Sequence, residues 1–311
     1  MSWRIVFFGT PSFALPPLKT LTQGPDQVVA VVTQPDREKG RGRRVVASPV
    51  KEVALQAGLP ILQPEKAKEV SFQDALKGFG VDLFVVAAYG QILPKSVLNL
   101  PKYGAINIHA SLLPKYRGAA PIAWVILNGE NRTGVTTMLM DEGMDTGDIL
   151  LQSDLTLRGD ETTETLQGRL AFLGAGLLSE TLKKMKKGEI HPTPQDHSAA
   201  TYAPMLRKED GQIVWEKGAG EIDRQVRAFH PWPGAYTKWE ARILKIYKGE
   251  VREGKATGQA GTVLWVGSDV IEIETGRGSY LLREVQLEGK KRMSVRDFLS
   301  GHPVSAGEVL G

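Results

Sequence analysis

RIVFFGTPS, residues 4–12, is the stretch whose reading decides the fold. Ile5 to Phe8 form a short apolar, β-favouring run that stops at Gly9, and Pro11-Ser12 then open a helix carrying Phe13, Leu15, Leu18 and Leu21. A strand, a tight turn and a helix in that order make the first unit of an open parallel sheet. VVAVVT at 28–33 and VDLFVVAA at 81–88 are near-continuous apolar runs, as found in strands covered by helices on both faces. Residues 50–57 and 67–77 read as helices between them, with a short strand at 60–62. The expected class is α/β, a doubly wound, mostly parallel sheet of Rossmann-like type. It is not a dinucleotide site, because Gly9 stands alone where a pyrophosphate would need three glycines to approach.

The 311 residues suggest two domains, and 41% hydrophobic against 24% charged is ordinary for a globular enzyme. There is no cysteine, which excludes disulfides, thiolate metal sites and cysteine nucleophiles and suits a reducing compartment. The five histidines, at 109, 191, 197, 230 and 302, are scattered, so no metal is expected. The first nine residues are too short an apolar run for a signal peptide, and no stretch approaches a membrane span. A cytoplasmic protein without membrane contact is expected.

Candidate chemistry gathers in GAINIHASLLP, residues 104–114. Asn107 and His109 alternate with Ile106 and Ile108, so on a strand both polar side chains leave one face. Residues 133–140 and 149–157 read as further strands, flanking the acidic, glycine-bearing loop 141–147 that contains Asp145. An amine attacking a carbonyl carbon creates a developing oxyanion and a proton to remove. An amide donor at 107, an imidazole at 109 and a carboxylate at 145 to orient it suit acyl-group transfer. Ser111 lacks the G-x-S-x-G setting of a serine hydrolase. Tyr89, Gly90, Gln91, Ile92 and Leu93, just past a strand's carboxyl end, combine small backbone with flat and apolar side chains able to line a heterocycle's pocket.

Between residues 36 and 44 five basic residues, Arg37, Lys39, Arg41, Arg43 and Arg44, face two acidic ones, a local excess of three positive charges where the whole chain carries +4. On a glycine-loosened loop after a strand, such a finger suits phosphates. Residues 162–187 read as one long helix with leucines 166, 170, 173, 177 and 182 on a stripe and four lysines before Gly188. The linker follows at 190–205. Five short runs then appear at 235–239, 242–247, 260–266, 270–274 and 280–287, which suggest a small antiparallel barrel of OB type over 206–311. From Arg207 onward 17 basic residues nearly balance 15 acidic ones, so composition does not make that domain an RNA binder.

Phe8 to Phe13, Gln34 to Arg37, Ala88 to Pro94, Asn107 to Gly118, Met140 to Gly147, Tyr202 to Leu206 and Phe229 to Ala235 together resemble the folate-dependent formyltransferases, most closely those acting on methionyl-tRNA. The resemblance implies a catalytic domain at 1–189 and a tRNA-binding barrel at 206–311. It implies transfer of a formyl group from N10-formyltetrahydrofolate, without a metal, to the α-amine of methionine on initiator Met-tRNA. The family's catalytic Asn, His and Asp fall on Asn107, His109 and Asp145. Its folate-contacting segment falls on Ser111, Leu112, Leu113 and Pro114, with the 89–94 loop and Met140 and Asp141 beside the pterin. The basic loop matches an insertion thought to enter the acceptor stem, and a monomer is implied. The Asn-His-Asp set is shared with family members acting on small amines such as amino-sugar nucleotides, which is the alternative reading.

Overall fold

The computed structural model describes residues 2–39, 44–256 and 258–311. Up to residue 204 the elements run β1 (Arg4–Gly9), a 3-10 turn and α1 (Leu15–Gln23), β2 (Gln27–Val32), β3 (Arg37–Lys39), β4 (Arg44–Val46), α2 (Pro49–Gln56), β5 (Ile61–Leu62), α3 (Val70–Lys77) and β6 (Leu83–Ala87). They continue through α4 (Lys95–Leu98), β7 (Ala105–His109), α5 (Pro121–Leu127), β8 (Arg132–Leu139), β9 (Ile149–Thr156) and α6 (Thr163–Lys187). The chain divides into two units, Met1–Pro121 with Arg132–Thr156 and Gln167–Pro204 in one, and Ile122–Asn131, Leu157–Leu166 and Met205–Gly311 in the other.

The first unit is built on a seven-stranded sheet ordered β5-β2-β1-β6-β7-β8-β9. Its first five strands are parallel, and every residue of β6 is buried, as expected for strands with helices on both faces. Helix starts follow local chemistry: Ser48 accepts the Lys51 N–H at 3.0 Å and Pro49 opens α2. In α6 Glu164 occupies the first turn and Lys184, Lys186 and Lys187 the last, each matching the helix dipole.

β8 departs from the parallel pattern. It runs antiparallel to β7, with Ile106 opposite Leu139 and His109 opposite Thr136, and β9 is antiparallel to β8. The end of β8 therefore meets the start of β7 rather than its carboxyl end. Residues 37–39 and 44–46 also differ from a plain loop, since β3 and β4 pair antiparallel with Arg37 opposite Val46.

Residues 190–205, which read as a linker in the sequence, lie against the first unit. Thr193 exchanges backbone hydrogen bonds with Ile149, the Ala203 N–H donates to the Arg117 carbonyl at 2.7 Å, and Gln195 and Ala203 are buried. Three prolines and a run of polar residues hide this in the sequence, because the pairing uses backbone and one buried amide rather than an apolar stripe.

The second unit holds α7 (Ala219–Ala228), β10 (Ala235–Trp239), β11 (Arg242–Arg252), β12 (Val263–Val266), β13 (Ile271–Glu274), β14 (Ser279–Leu287), β15 (Met293–Ser294) and α8 (Val295–Gly301). Its antiparallel sheet is ordered β10-β11-β14-β13-β12, with β15 beside β14. Ile222 and Val226 of α7, Phe298 of α8 and the inward residues Leu244, Tyr280, Leu282 and Val285 form its core. The last residues tie the two edges together: Val263 and Leu310 bond to the backbone of Glu308 and Gly261, and the Gly311 N–H donates to the Lys238 carbonyl. Residues 122–131 and 157–166 group with this unit, although the sequence reading assigned them to 1–189. No described helix is long and apolar enough to cross a membrane.

Candidate active site

β7 sets the site. Its alternation buries Ile106 and Ile108 on one face and sends Asn107 and His109 from the other. The loop 140–148 starts at the far end of β8 and must curl back over that face to bring Asp145 to them. It is closed by the Leu139 N–H donating to Asp148 O at 2.9 Å and the Met140 N–H donating to Ala105 O at 2.8 Å. Within the loop the Asp141 carboxylate accepts from the Gly143 N–H at 3.0 Å and the Thr146 hydroxyl at 2.7 Å. Glycine is required at 147, where a Cβ would lie 1.7 Å from the Leu139 carbonyl oxygen.

Asp145 is the meeting point. The Asn107 amide donates to its Oδ1 at 3.3 Å, His109 Nδ1 lies 3.5 Å from the same oxygen, and the Gly118 N–H donates to Oδ2 at 2.8 Å. His109 is buried, and its Nε2 pairs with the Tyr116 carbonyl at 2.9 Å. A carbonyl only accepts, so Nε2 carries a hydrogen and Nδ1 is the nitrogen that faces Asp145. Asp145 has a left-handed backbone, φ 55°, uncommon outside glycine.

Residues 111–114 turn away from β7 with their backbone bound beneath β8. Thr136 Oγ1 donates to Ser111 O at 2.7 Å and accepts the Leu113 N–H at 3.1 Å, and Gln152 donates to Leu113 O at 2.8 Å. Ser111 Oγ donates to Lys115 O at 2.6 Å. Ser111 and Leu113 are buried, Leu112 and Pro114 half-buried, and the Leu113–Pro114 peptide is cis.

The 88–93 loop requires a correction. Tyr89 was expected to offer a flat ring to a ligand, but the ring is 2% exposed and packs edge-on to Phe8 at 5.4 Å. Burial pushes the phenol up to about 12, and its hydroxyl has no partner among the described residues. The reason is the left-handed turn at Ala88 and Gly90, φ 48° and 90°, with Thr10 Oγ1 and Gln34 Nε2 donating to Tyr89 O. This points the side chain inward. The Gln91 amide is engaged too, accepting the Ala67 N–H and donating to Pro64 O and Glu65 O. Leu93 is buried, Gly90 is exposed, and Ile92 is 80% exposed.

Met140 and Asp141 line a cavity of about 320 Å³ with Leu98, Tyr103, Ala105 and Leu139. That is the lower end of small-molecule pockets, and its lining mixes apolar with charged side chains. Lys95 and Glu142 form an ion pair of 2.7 Å at its rim, which holds the ammonium's pKa above its ordinary value. Neither residues 89–93 nor 111–114 line this cavity.

In the basic segment, Arg41 and Arg43 lie outside the described residues, as do the side chains of Lys39 and Arg44, and Arg37 is exposed. The β3–β4 pair is anchored at Asp36, whose carboxylate accepts from Lys51 Nζ at 2.5 Å and Gln63 Nε2 at 2.8 Å. Lys51 first, then Gln63, keep that carboxyl below the usual range. Among the described residues no group of three or more histidines or carboxylates is placed to hold a metal.

Arg117, Gly118 and Gln195 were not singled out as site residues by sequence reasoning. The first two sit in the motif running from Asn107 to Gly118, where their neighbours drew attention. Gln195 carries no such signal.

An amide, an imidazole and a carboxylate set around one point on an open sheet suit a transferase of the acyl-transfer class. The chain belongs to the formyl transferase family: the formyl transferase model matches residues 3–182 and the formyl transferase C-terminal domain model matches residues 205–303. It is 51% identical over 308 residues to the methionyl-tRNA formyltransferase of Citrifermentans bemidjiense, covering 99% of this chain and 96% of the relative. Among solved structures, an N-formyltransferase from Helicobacter canadensis in complex with folinic acid and dTDP-3-aminofucose superposes with a TM-score of 0.66 at 18% identity, covering 92% and 100% of the two chains. HypX from Aquifex aeolicus in complex with tetrahydrofolic acid gives a TM-score of 0.64 at 17% identity, covering all of this chain, which spans about half the length of that one. These two likenesses concern the fold.

Proposed function

We infer that the protein transfers a formyl group from N10-formyltetrahydrofolate to the α-amine of methionine on initiator Met-tRNA. The observation that carries the chemistry is the convergence of Asn107, His109 and Gly118 on the Asp145 carboxylate. End-to-end similarity to a methionyl-tRNA formyltransferase supports the acceptor.

The donor supplies an activated formyl carbon, and the cavity beside Met140 and Asp141 has the size to take part of its flat body. Asn107 has a second amide hydrogen to donate to the oxygen on which charge develops, worth about a hundredfold in rate. The amine's proton passes toward Asp145 and on to His109 Nδ1. The ring then becomes an imidazolium with Tyr116 O on one nitrogen and the carboxylate beside the other. When the tetrahedral carbon collapses, the bond to the donor's N10 breaks and that nitrogen takes up the proton. Arg37, Lys39, Arg41, Arg43 and Arg44 form the finger that meets tRNA phosphates, and the antiparallel domain from 206 shares in holding the tRNA.

The test is formyl transfer measured on initiator Met-tRNA, elongator Met-tRNA and an amino-sugar nucleotide with the same donor. Preference for initiator Met-tRNA is expected. Turnover of the amino sugar alone would establish the alternative reading.

A further inference from the structure

Among the described residues Arg117 is the largest fully buried side chain, and its guanidinium meets no carboxylate there: its partners are Gln195 and His197. Gln195 Oε1 accepts from Arg117 Nε at 3.1 Å and Nη2 at 2.7 Å. Its Nε2 donates to Asp145 O at 2.8 Å and Gly147 O at 2.7 Å. Both hydrogens and both lone pairs of the amide are in use, and the partners fix its orientation. Turned over, it would set an NH₂ against a guanidinium and an oxygen against two carbonyls.

We propose that Gln195, held by Arg117, is a positioning residue for Asp145: it clamps the loop carbonyls on either side of Thr146 and so keeps the carboxylate on Asn107 and His109. The proposal rests on the reading of Asp145 given above. A left-handed aspartate persists only where its surroundings over-determine it. Here the backbone oxygen of 145 is held by Gln195 and its side chain by Gly118, the neighbour of Arg117. Arg117 is itself fixed in the backbone, its N–H donating to Thr201 O at 2.9 Å and its carbonyl accepting the Ala203 N–H. Without the two bonds from Nε2 the loop relaxes toward ordinary backbone angles, and a displacement of about 1 Å at a reacting group costs on the order of a hundredfold in rate.

Gln195→Glu separates positioning from mere support. The carboxylate still accepts from the Arg117 fork, now with opposite charge, while its second oxygen faces the two loop carbonyls, so the melting temperature falls less than in Gln195→Ala. Both donors to the loop are removed. The expected result, in the full chain with both substrates saturating, is a single-turnover rate lowered about a hundredfold with the KM for Met-tRNA unchanged. Gln195→Ala, lacking both functions, should lose rate and melting temperature together, and Asp145→Asn is the control. If Gln195→Glu keeps the wild-type rate, or loses rate only in proportion to a fall in melting temperature, the clamp is refuted while the reading of Asp145 stands. If Asp145→Asn itself keeps the wild-type rate, both fall.

Discussion

Asn107 and Asp145 lie 38 positions apart in the chain, and the amide of one donates to the carboxylate of the other at 3.3 Å. One of the two amide hydrogens is thereby committed, and the other is available to a substrate. Asn107→Ala should lower the single-turnover rate about a hundredfold or more at saturating donor. Because Asn107 is half-buried at a strand's end, the thermal midpoint should barely move. Rapid-quench kinetics beside a melting curve checks both.

Gly147→Ala is expected to fail structurally. The new Cβ would sit 1.7 Å from a backbone oxygen of β8, which cannot yield as a flexible side chain would. A loss of about 1–3 kcal/mol follows by the usual cost of overpacking. Urea denaturation would show it, together with weaker binding of the formyl donor as the loop shifts.

At Tyr89 the folded state holds the neutral phenol, since burial moves its titration from 10.0 to about 12. Between those values the unfolded chain releases this proton and the folded chain keeps it, so stability falls as pH rises through the window. The full loss is on the order of 2–3 kcal/mol at roughly 1.4 kcal/mol per unit. Tyr89→Phe removes this part of the alkaline loss. At neutral pH it also removes a buried hydroxyl that has no partner, a gain of about 1 kcal/mol. Denaturation midpoints of the two proteins from pH 8 to 11.5, on the order of the window above, give the comparison. Identical alkaline limbs would show that the ring is hydrated.

Neutralising Arg41, Arg43 and Arg44 together should weaken use of tRNA and flatten its salt dependence, by about one unit of log–log slope for each phosphate no longer neutralised. Donor binding should not change. kcat/KM for Met-tRNA against salt concentration is the measurement, and an unchanged slope would place the phosphates elsewhere.

The parallel half of the sheet was legible because an apolar run as short and as β-branched as 81–88, bounded by glycine, fits a buried strand and little else. The pairing of Asn107 with His109 on one face follows from alternation alone. The reversal at β8 was not legible, since residues 133–140 read as a strand in either direction and only partner choice sets the sense. Tyr89 was misjudged because the composition of a loop says nothing of a left-handed turn at Ala88 and Gly90. Gln195 was missed because its bonds reach main-chain atoms 50 and 48 positions away, a distance at which sequence has no pattern to offer.

The pairing of β7 with β8 also limits how this protein can tolerate changes in length. Deleting one residue within 105–109 would turn Asn107 or His109 to the opposite face, because side chains alternate with a period of two. Gly134 resists slippage of β8 along β9, since any Cβ there would lie 2.2 Å from Ser153 O of β9, so only one alignment of those two strands leaves room at that crossing. A scan of single-residue insertions should therefore find the active site lost at once along β7 and β8. Insertions at the exposed positions 159–160, in the turn after β9, should leave it intact.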